Sequence, residues 1–170
     1  MMFPIYLEGE RIFSNSKIAI DTQDRKKLGE IKDGKVIYNP FEAFYLLENK
    51  KAKLIKNDKE LKEQEILKIF SKNKDFITKY LVFKDLKNKG YVIKAGIKFG
   101  EEFRVYNKED YKKNKHAKWI CYPIKSIDNI KIKEFIAKLR VSHASGKKLL
   151  LAIVDSEEDI IYYEIDWIKP

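Results

Sequence analysis

Apolar positions along this chain recur in two spacings, which separate short strands from amphipathic helices. In the N-terminal part, short β-branched and aromatic runs bounded by turn residues predict strands. These strands are residues 3–7, 17–20 and 35–38, with turns at residues 8–9 and 33–34. A helix is then predicted from Asn39, which can cap it, with Pro40 in its first turn and Glu42 completing a capping box. A second helix, rich in Lys and Glu, is predicted over residues 59–71.

The C-terminal part alternates between the same two patterns. Residues 76–84 have helical spacing, and Gly90 can end that helix in the left-handed conformation. The apolar positions Ile132, Phe135, Ile136 and Leu139 mark one face of a later helix. The predicted strands are residues 91–94, 97–99, 103–106, 119–124, 149–154 and 160–168. The pattern therefore predicts a central mixed sheet flanked by helices.

The short charged segment 71–75 is the best candidate for a boundary. We predict a small N-terminal α/β domain over residues 1–74 and a C-terminal domain over residues 75–170. The fold class is α/β, more specifically α+β, because each part mixes helices with a sheet.

Composition and charge limit the classes of protein to which this chain can belong. The apolar run 149–154 is too short to span a bilayer, and the N-terminus lacks a signal-peptide layout, so we expect a cytoplasmic protein. The single Cys121 lies in an apolar segment, which predicts a buried thiol. The net charge of +10 is compatible with a polyanionic partner. The surfaces of thermophile proteins are also rich in Lys, so the net charge alone does not show that the partner is a polyanion.

Three polar residues suggest a specific chemistry, RNA cleavage without a metal. They are Tyr106 at a strand end, His116 in a lysine-rich loop and Lys147 before an apolar run. RNA carries its own nucleophile, the 2′-hydroxyl. An imidazole with its ordinary pKa of about 6.5 can protonate the leaving 5′-oxygen. Tyrosine becomes a usable base when cations such as Lys147 and Lys148 lie beside it, and these also stabilise the phosphorane. Taken singly, each residue has an ordinary surface or packing role.

Four longer stretches around these three residues resemble a known family. They are residues 79–86, 90–100, 103–106 and 140–155. Over residues 75–170 the chain resembles the C-terminal catalytic domain of the archaeal tRNA-splicing endonucleases, and more weakly so in its N-terminal part. The resemblance implies that Tyr106 is the general base, His116 the general acid and Lys147 the phosphorane stabiliser. The implied substrate is precursor tRNA with a bulge-helix-bulge at the intron–exon junctions. The products would be a 2′,3′-cyclic phosphate and a 5′-hydroxyl, with no cofactor and no metal.

The resemblance also implies residues for RNA binding. By the resemblance Arg140 would stack on a flipped base. We assign Trp167 to the other wall and expect Lys148 to add positive charge beside Lys147. A helix C-terminal cation is the alternative role for Arg140. Gly146 departs from the family pattern, in which a basic residue is common at that position.

Finally, the resemblance implies a tetramer, either of one chain or with a second, structural chain. An acidic loop would dock on an opposing subunit, and the C-terminal strand would pair subunits. The residues concerned are Asp155, Glu157, Glu158, Asp159, Tyr162 and Tyr163.

Two alternatives stay open from the sequence. The first is a metal-dependent nuclease built on Asp85, Lys98, Glu101 and Glu102. The second is a non-catalytic RNA-binding or structural subunit in which the three polar residues coincide by chance. His143, the other histidine, is given a structural role.

Overall fold

The structure, a computed structural model, describes residues 1–95 and 102–170. Its contacts divide the chain into two units, Met1–Phe76 and Ile77–Pro170. Each unit combines helices with one sheet that contains both parallel and antiparallel strand pairs. This confirms the predicted α+β class. Within the described residues, no helix has both the length and the apolar character needed to cross a bilayer.

Unit 1 is built on a six-stranded sheet with three helices. Its elements are β1 (Phe3–Glu8), β2 (Arg11–Ser14), α1 (Lys17–Lys26), β3 (Glu30–Lys32), β4 (Lys35–Tyr38), α2 (Pro40–Glu48), β5 (Ala52–Lys56), β6 (Lys59–Glu60) and α3 (Glu63–Phe70). The strand order is β3-β4-β2-β1-β5-β6. The strand predicted at residues 3–7, the strand at residues 35–38 and the capping box of Asn39 and Glu42 are all confirmed.

The strand predicted at residues 17–20 is wrong, because this segment forms the first turns of α1. The side chain of Ser16 accepts a hydrogen bond from the Ile18 N–H at 3.2 Å and so caps the helix. Ala19 and Thr22, three residues apart, are the buried positions of this helix. The cap and this helical spacing outweigh the β-branched character of the short run.

The helix predicted over residues 59–71 begins later than expected, at Glu63. Asn57 and Asp58 both have left-handed backbone conformations, with φ of 50° and 59°. Two such residues form the tight turn that joins antiparallel strands, and Lys56 accordingly pairs with Lys59. The turn therefore takes residues 59–60 into the sheet.

Four phenylalanines form an aromatic cluster in unit 1. Phe41 stacks on Phe76 with ring centroids 5.2 Å apart, and Phe76 stacks on Phe70 at 5.6 Å. Phe44 meets both Phe70 and Phe76 edge-on. Such aromatic pairs contribute about 0.5–1.5 kcal/mol each beyond their buried area. The cluster therefore ties α2 and α3 to the last residue of the unit.

Unit 2 is built on a five-stranded sheet of order β11-β10-β9-β8-β7. Its elements are α4 (Phe76–Asn88), β7 (Val92–Ala95), β8 (Phe103–Tyr106), α5 (Lys108–Lys112), β9 (Trp119–Lys125), α6 (Ile132–Ala144), β10 (Lys148–Val154) and β11 (Ile160–Ile165). These strands confirm the predictions for this part of the chain, except that residues 97–99 lie outside the described residues.

Helices cover both faces of this sheet. On one face, Phe135 and Leu139 of α6 pack on Leu149, Leu151 and neighbouring strand residues. On the other face, the ring of Phe83 in α4 lies 6.0 Å from that of Phe103. Burying a phenylalanine contributes about 1.5–3 kcal/mol, so both layers stabilise the sheet.

One face of α6 is only partly buried. Phe135 and Leu139 pack on the sheet as predicted, whereas Ile132 and Ile136 are exposed.

Cys121 is buried in β9, as predicted, and burial raises the pKa of its thiol.

Gly29 offers a test of packing in unit 1. A Cβ at Gly29 would lie 2.5 Å from a side-chain carbon of Val36, and its φ is 81°. Gly34 has a φ of 72° with open space around it. We expect Gly29→Ala to lower the free energy of unfolding by about 2–5 kcal/mol and Gly34→Ala by about 1–2 kcal/mol. Urea denaturation followed by circular dichroism would measure both, and equal losses would contradict the steric argument.

Candidate active site

The register of three neighbouring strands places Tyr106, His116 and Lys147 at one end of the unit 2 sheet. Trp119 at the start of β9 pairs with Val105 of β8 on one side and Lys148 of β10 on the other. Tyr106 follows Val105, and Lys147 precedes Lys148. Two strand spacings of about 4.8 Å therefore separate the backbones of β8 and β10 at this end.

Backbone hydrogen bonds extend this alignment beyond the strands. The Lys118 N–H donates to the Val105 carbonyl at 2.9 Å, and the Lys148 N–H donates to the Lys118 carbonyl at 3.4 Å. The segment that carries His116 therefore runs between the end of β8 and the start of β10. His116 is exposed, whereas Tyr106 and Lys147 are half-buried.

Helices α6 and α5 end in the same way. The end of α6 leads through Lys147 into β10, and the end of α5 leads through His116 into β9. After α6, Gly146 has a φ of 68°, and its N–H donates to the His143 carbonyl. The next N–H, of Lys147, donates to the Ser142 carbonyl at 2.9 Å. This Schellman motif requires a left-handed residue, which glycine adopts without strain. It turns the chain directly into β10, with Lys147 at the turn.

The helix before His116 ends in the same way. After α5, Asn114 has a φ of 53°, and its N–H donates to the Tyr111 carbonyl. The Lys115 N–H donates to the Asp110 carbonyl at 2.9 Å. Hydrogen bonds from the side chains of Asn107 and Lys115 hold the pKa of the Asp110 carboxyl below its ordinary value. His116 therefore follows directly after a turn that backbone hydrogen bonds hold in place.

Tyr111 of α5 is a neighbour of Tyr106 that the sequence did not indicate. The two rings meet edge-on, with centroids 5.1 Å apart. The ammonium of Lys94, a buried residue of β7, lies 5.8 Å from the centre of the Tyr111 ring. The Tyr106 ring is therefore held from one side, and a buried cation lies behind its neighbour.

The two adjacent lysines have different partners. The Lys147 ammonium donates to the Ser145 carbonyl at 2.9 Å. The Lys148 ammonium forms an ion pair with Glu164 at 2.8 Å, and Glu164 also accepts a hydrogen bond from the Trp119 indole at 2.7 Å. Glu164 raises the pKa of Lys148, and Lys148 and Trp119 lower the pKa of Glu164. Glu164 was not singled out from the sequence.

The residues predicted to bind a base lie on α6 and beyond β11. Arg140 is exposed on α6. Trp167, which follows β11, is 49% exposed, and its ring meets the ring of His143 at 4.5 Å between centroids. His143 lies one helical turn after Arg140. The structure thus brings Trp167 to the C-terminal end of the helix that carries Arg140.

The residues predicted for assembly lie along the last hairpin. The N–H groups of Glu157 and Asp159 both donate to the Asp155 carboxylate at 2.9 Å, which orders the acidic loop. Tyr163 on the edge strand β11 is 52% exposed. Tyr162 points to the opposite face, where its hydroxyl donates to Asp85 at 2.6 Å.

The carboxylates of the predicted metal alternative have separate partners. Asp85 accepts the Tyr162 hydroxyl and pairs with Lys89, and Glu102 accepts the Tyr122 hydroxyl at 2.6 Å. Lys98 and Glu101 lie outside the described residues. Over residues 1–95 and 102–170, no three His, Cys, Asp or Glu side chains come together as metal ligands would.

Comparison with known proteins matches this part of the chain to a defined family. Residues 76–162 match the family model described as tRNA intron endonuclease, catalytic C-terminal domain. A tRNA-splicing endonuclease of Pyrococcus abyssi is 37% identical over 166 residues, covering 96% of this chain and 95% of that protein. The chain belongs to the tRNA-splicing endonuclease family. This confirms the predicted resemblance and the prediction of an endonuclease.

Relatives of the same name extend the family match over both units. A tRNA-splicing endonuclease of Methanothermobacter thermautotrophicus is 36% identical over 155 residues, or 91% of each chain. One of Nanoarchaeum equitans is 36% identical over 136 residues, covering 76% of this chain and 87% of that protein. The family model spans Tyr106, His116, Arg140 and Lys147 but ends before Trp167.

The ion pair of Glu164 makes stability depend on pH. A carboxylate whose pKa is lowered on folding stabilises the fold above its ordinary pKa, and this is lost as pH falls below that value. We expect Glu164→Gln to lower the free energy of unfolding at pH 7, and the difference from wild type to be smaller at pH 3, which lies below the ordinary pKa of 4.5 for Glu. Urea denaturation followed by tryptophan fluorescence reports on unit 2, because Trp119 and Trp167 both lie there.

The matched control is Glu10→Gln, a change at an exposed turn of unit 1. It should leave the unfolding of unit 2 unchanged at both pH values. A Glu164→Gln difference that persists undiminished at pH 3 would contradict the electrostatic explanation.

Proposed function

We propose that this chain is a catalytic subunit that cleaves precursor tRNA at intron–exon junctions in a bulge-helix-bulge structure. Family membership supports tRNA as the substrate, since the matched relatives are named tRNA-splicing endonucleases. The observation that carries the catalytic role is the alignment of Tyr106, His116 and Lys147 at one sheet end. Together these three residue types can supply the base, the acid and the cation that RNA cleavage without a metal uses.

In this mechanism the RNA supplies the nucleophile. The phenolate form of Tyr106 accepts the proton of the 2′-hydroxyl, and the 2′-oxygen forms a bond to phosphorus. The bond from phosphorus to the 5′-oxygen breaks, and the His116 imidazolium donates its proton to that oxygen. The Lys147 ammonium stabilises the charge on the non-bridging oxygens of the phosphorane. The products are a 2′,3′-cyclic phosphate and a 5′-hydroxyl, and no metal takes part.

We also propose that Arg140 and Trp167 hold an unpaired base of the bulge. Both are exposed, and Trp167 lies at the end of the helix that carries Arg140. A cation and an aromatic ring can each stack on a base of any sequence. Lys148 contributes positive charge near the phosphate. Its ion pair with Glu164 partly neutralises that charge, so Lys148 also has a structural role.

Assembly into a tetramer is the remaining part of the proposal. Edge strand β11 exposes Ile161 and Tyr163, and an exposed apolar edge is suited to pairing with another strand. The ordered acidic loop of Asp155, Glu157, Glu158 and Asp159 is placed at one end of that strand. We expect this chain alone to give a tetrameric mass in sedimentation equilibrium, and a smaller mass would contradict the form of the tetramer that is built from one chain.

The test of the activity is cleavage of a bulge-helix-bulge RNA in excess EDTA, with analysis of the product ends. We expect cyclic phosphate and 5′-hydroxyl ends. A matched RNA with one 2′-deoxynucleotide at the cleavage site should resist cutting, because it lacks the nucleophile. Cleavage of the deoxy substrate, or cleavage only when magnesium is added, would favour the metal-dependent alternative.

Variants in the same assay test the three roles. Tyr106→Phe, His116→Ala and Lys147→Ala should each lower the cleavage rate at least ~100-fold while leaving RNA affinity nearly unchanged. Tyr6→Phe in unit 1 is the matched control and should cleave normally. Loss of affinity without loss of saturating rate would instead indicate that these residues bind RNA and take no part in the chemical step.

A further inference from the structure

The C-terminal segment after β11 is attached to α6 through an aromatic contact. The Trp167 and His143 rings meet edge-on, with centroids 4.5 Å apart and planes inclined by 67°. His143 lies in the last turn of α6, and Trp167 is two residues beyond the end of β11. The contact therefore joins two elements that are distant in the sequence.

Asp166 adds a second connection at the same place. Its carboxylate accepts the Trp167 N–H at 2.9 Å, and the same oxygen lies 3.8 Å from Nδ1 of His143. His143, Asp166 and Trp167 together form what we term the His143 cluster. The ring of Trp167 thus contacts α6 directly, and its backbone N–H is bound by a carboxylate that lies beside His143.

The His143 cluster lies next to the residues proposed to bind RNA. Residues three apart on a helix are neighbours on its surface, so His143 lies beside Arg140. The carbonyl of His143 also belongs to the turn that ends in Lys147. The cluster therefore connects the base-binding residues with the corner that carries the phosphorane stabiliser.

We propose that His143 is a positioning residue that holds the Trp167 ring one helical turn from Arg140, ready to stack on an unpaired RNA base. This rests on the proposed function. A half-exposed tryptophan in a segment beyond the last strand would lose conformational freedom on binding RNA. Holding the ring in place beforehand removes that cost from the binding step.

The first test compares His143→Ala, His143→Phe and Val141→Ala in single-turnover cleavage of a bulge-helix-bulge RNA. For His143→Ala we expect the half-saturating enzyme concentration to rise about 5- to 20-fold, the range expected from partial loss of one stacked base. The saturating rate should change by less than about twofold. His143→Phe keeps an aromatic contact and should remain near wild type. Val141→Ala, at an exposed position of the same helix, should change neither value.

A double-mutant cycle tests whether His143 acts through Trp167. Trp167→Ala should weaken binding at least as much as His143→Ala. Adding His143→Ala to Trp167→Ala should then cause no further loss, because the two changes disrupt one interaction. Additive losses would overturn the proposal, since they would show that His143 contributes independently.

A measurement without RNA separates this inference from the proposed function. Trp119 is buried and Trp167 is half-exposed, so acrylamide quenches mainly Trp167, and Trp167→Phe assigns its signal. His143→Ala should increase the quenching constant of Trp167 and leave that of Trp119 unchanged, and His143→Phe should restore it. Unchanged quenching in folded His143→Ala would overturn the proposal even if wild-type enzyme cleaves the RNA. If the wild type failed to cleave, the proposed function would fail, while increased quenching would still support the attachment of Trp167.

Discussion

The backbone hydrogen bonds of β9 to its two neighbours fix the position of each proposed catalytic residue. β9 is antiparallel to β8 and parallel to β10, so the end of one neighbour and the start of the other lie beside its own start. A slip of one residue in either register would move every side chain of that strand to the opposite face. The buried side chains on both faces of the sheet oppose such a slip. The site thus depends on a packed sheet more than on contacts among its own polar groups.

Residues in the left-handed conformation at two helix ends place the proposed catalytic residues at the end of the sheet. Asn114 and Gly146 each end a helix by the same pair of backbone hydrogen bonds, and each lies just before a proposed catalytic residue. This geometry suits the glycine at position 146. The backbone there is left-handed, and glycine adopts it without strain.

Positive charge at the site is divided between a half-buried lysine and a paired one. Within residues 1–95 and 102–170 the Lys147 ammonium binds only a carbonyl, whereas the Lys148 ammonium has a carboxylate partner in Glu164. An ammonium bound to a neutral carbonyl can turn toward a phosphate at a smaller electrostatic cost than one held by a carboxylate. Two adjacent, chemically identical residues are thereby suited to different tasks.

The sequence by itself determined the features that depend on local chemistry or on long matching stretches. These include the capping box at Asn39, the strands of unit 2, the buried thiol and the family. The helix at residues 17–20 was also a local outcome, set by the Ser16 cap, although the short apolar run favoured a strand. Tertiary structure decided that Ile132 stays exposed and that Trp167 meets His143. Such outcomes depend on which distant surfaces come together, and residue spacing within one segment carries no information about that.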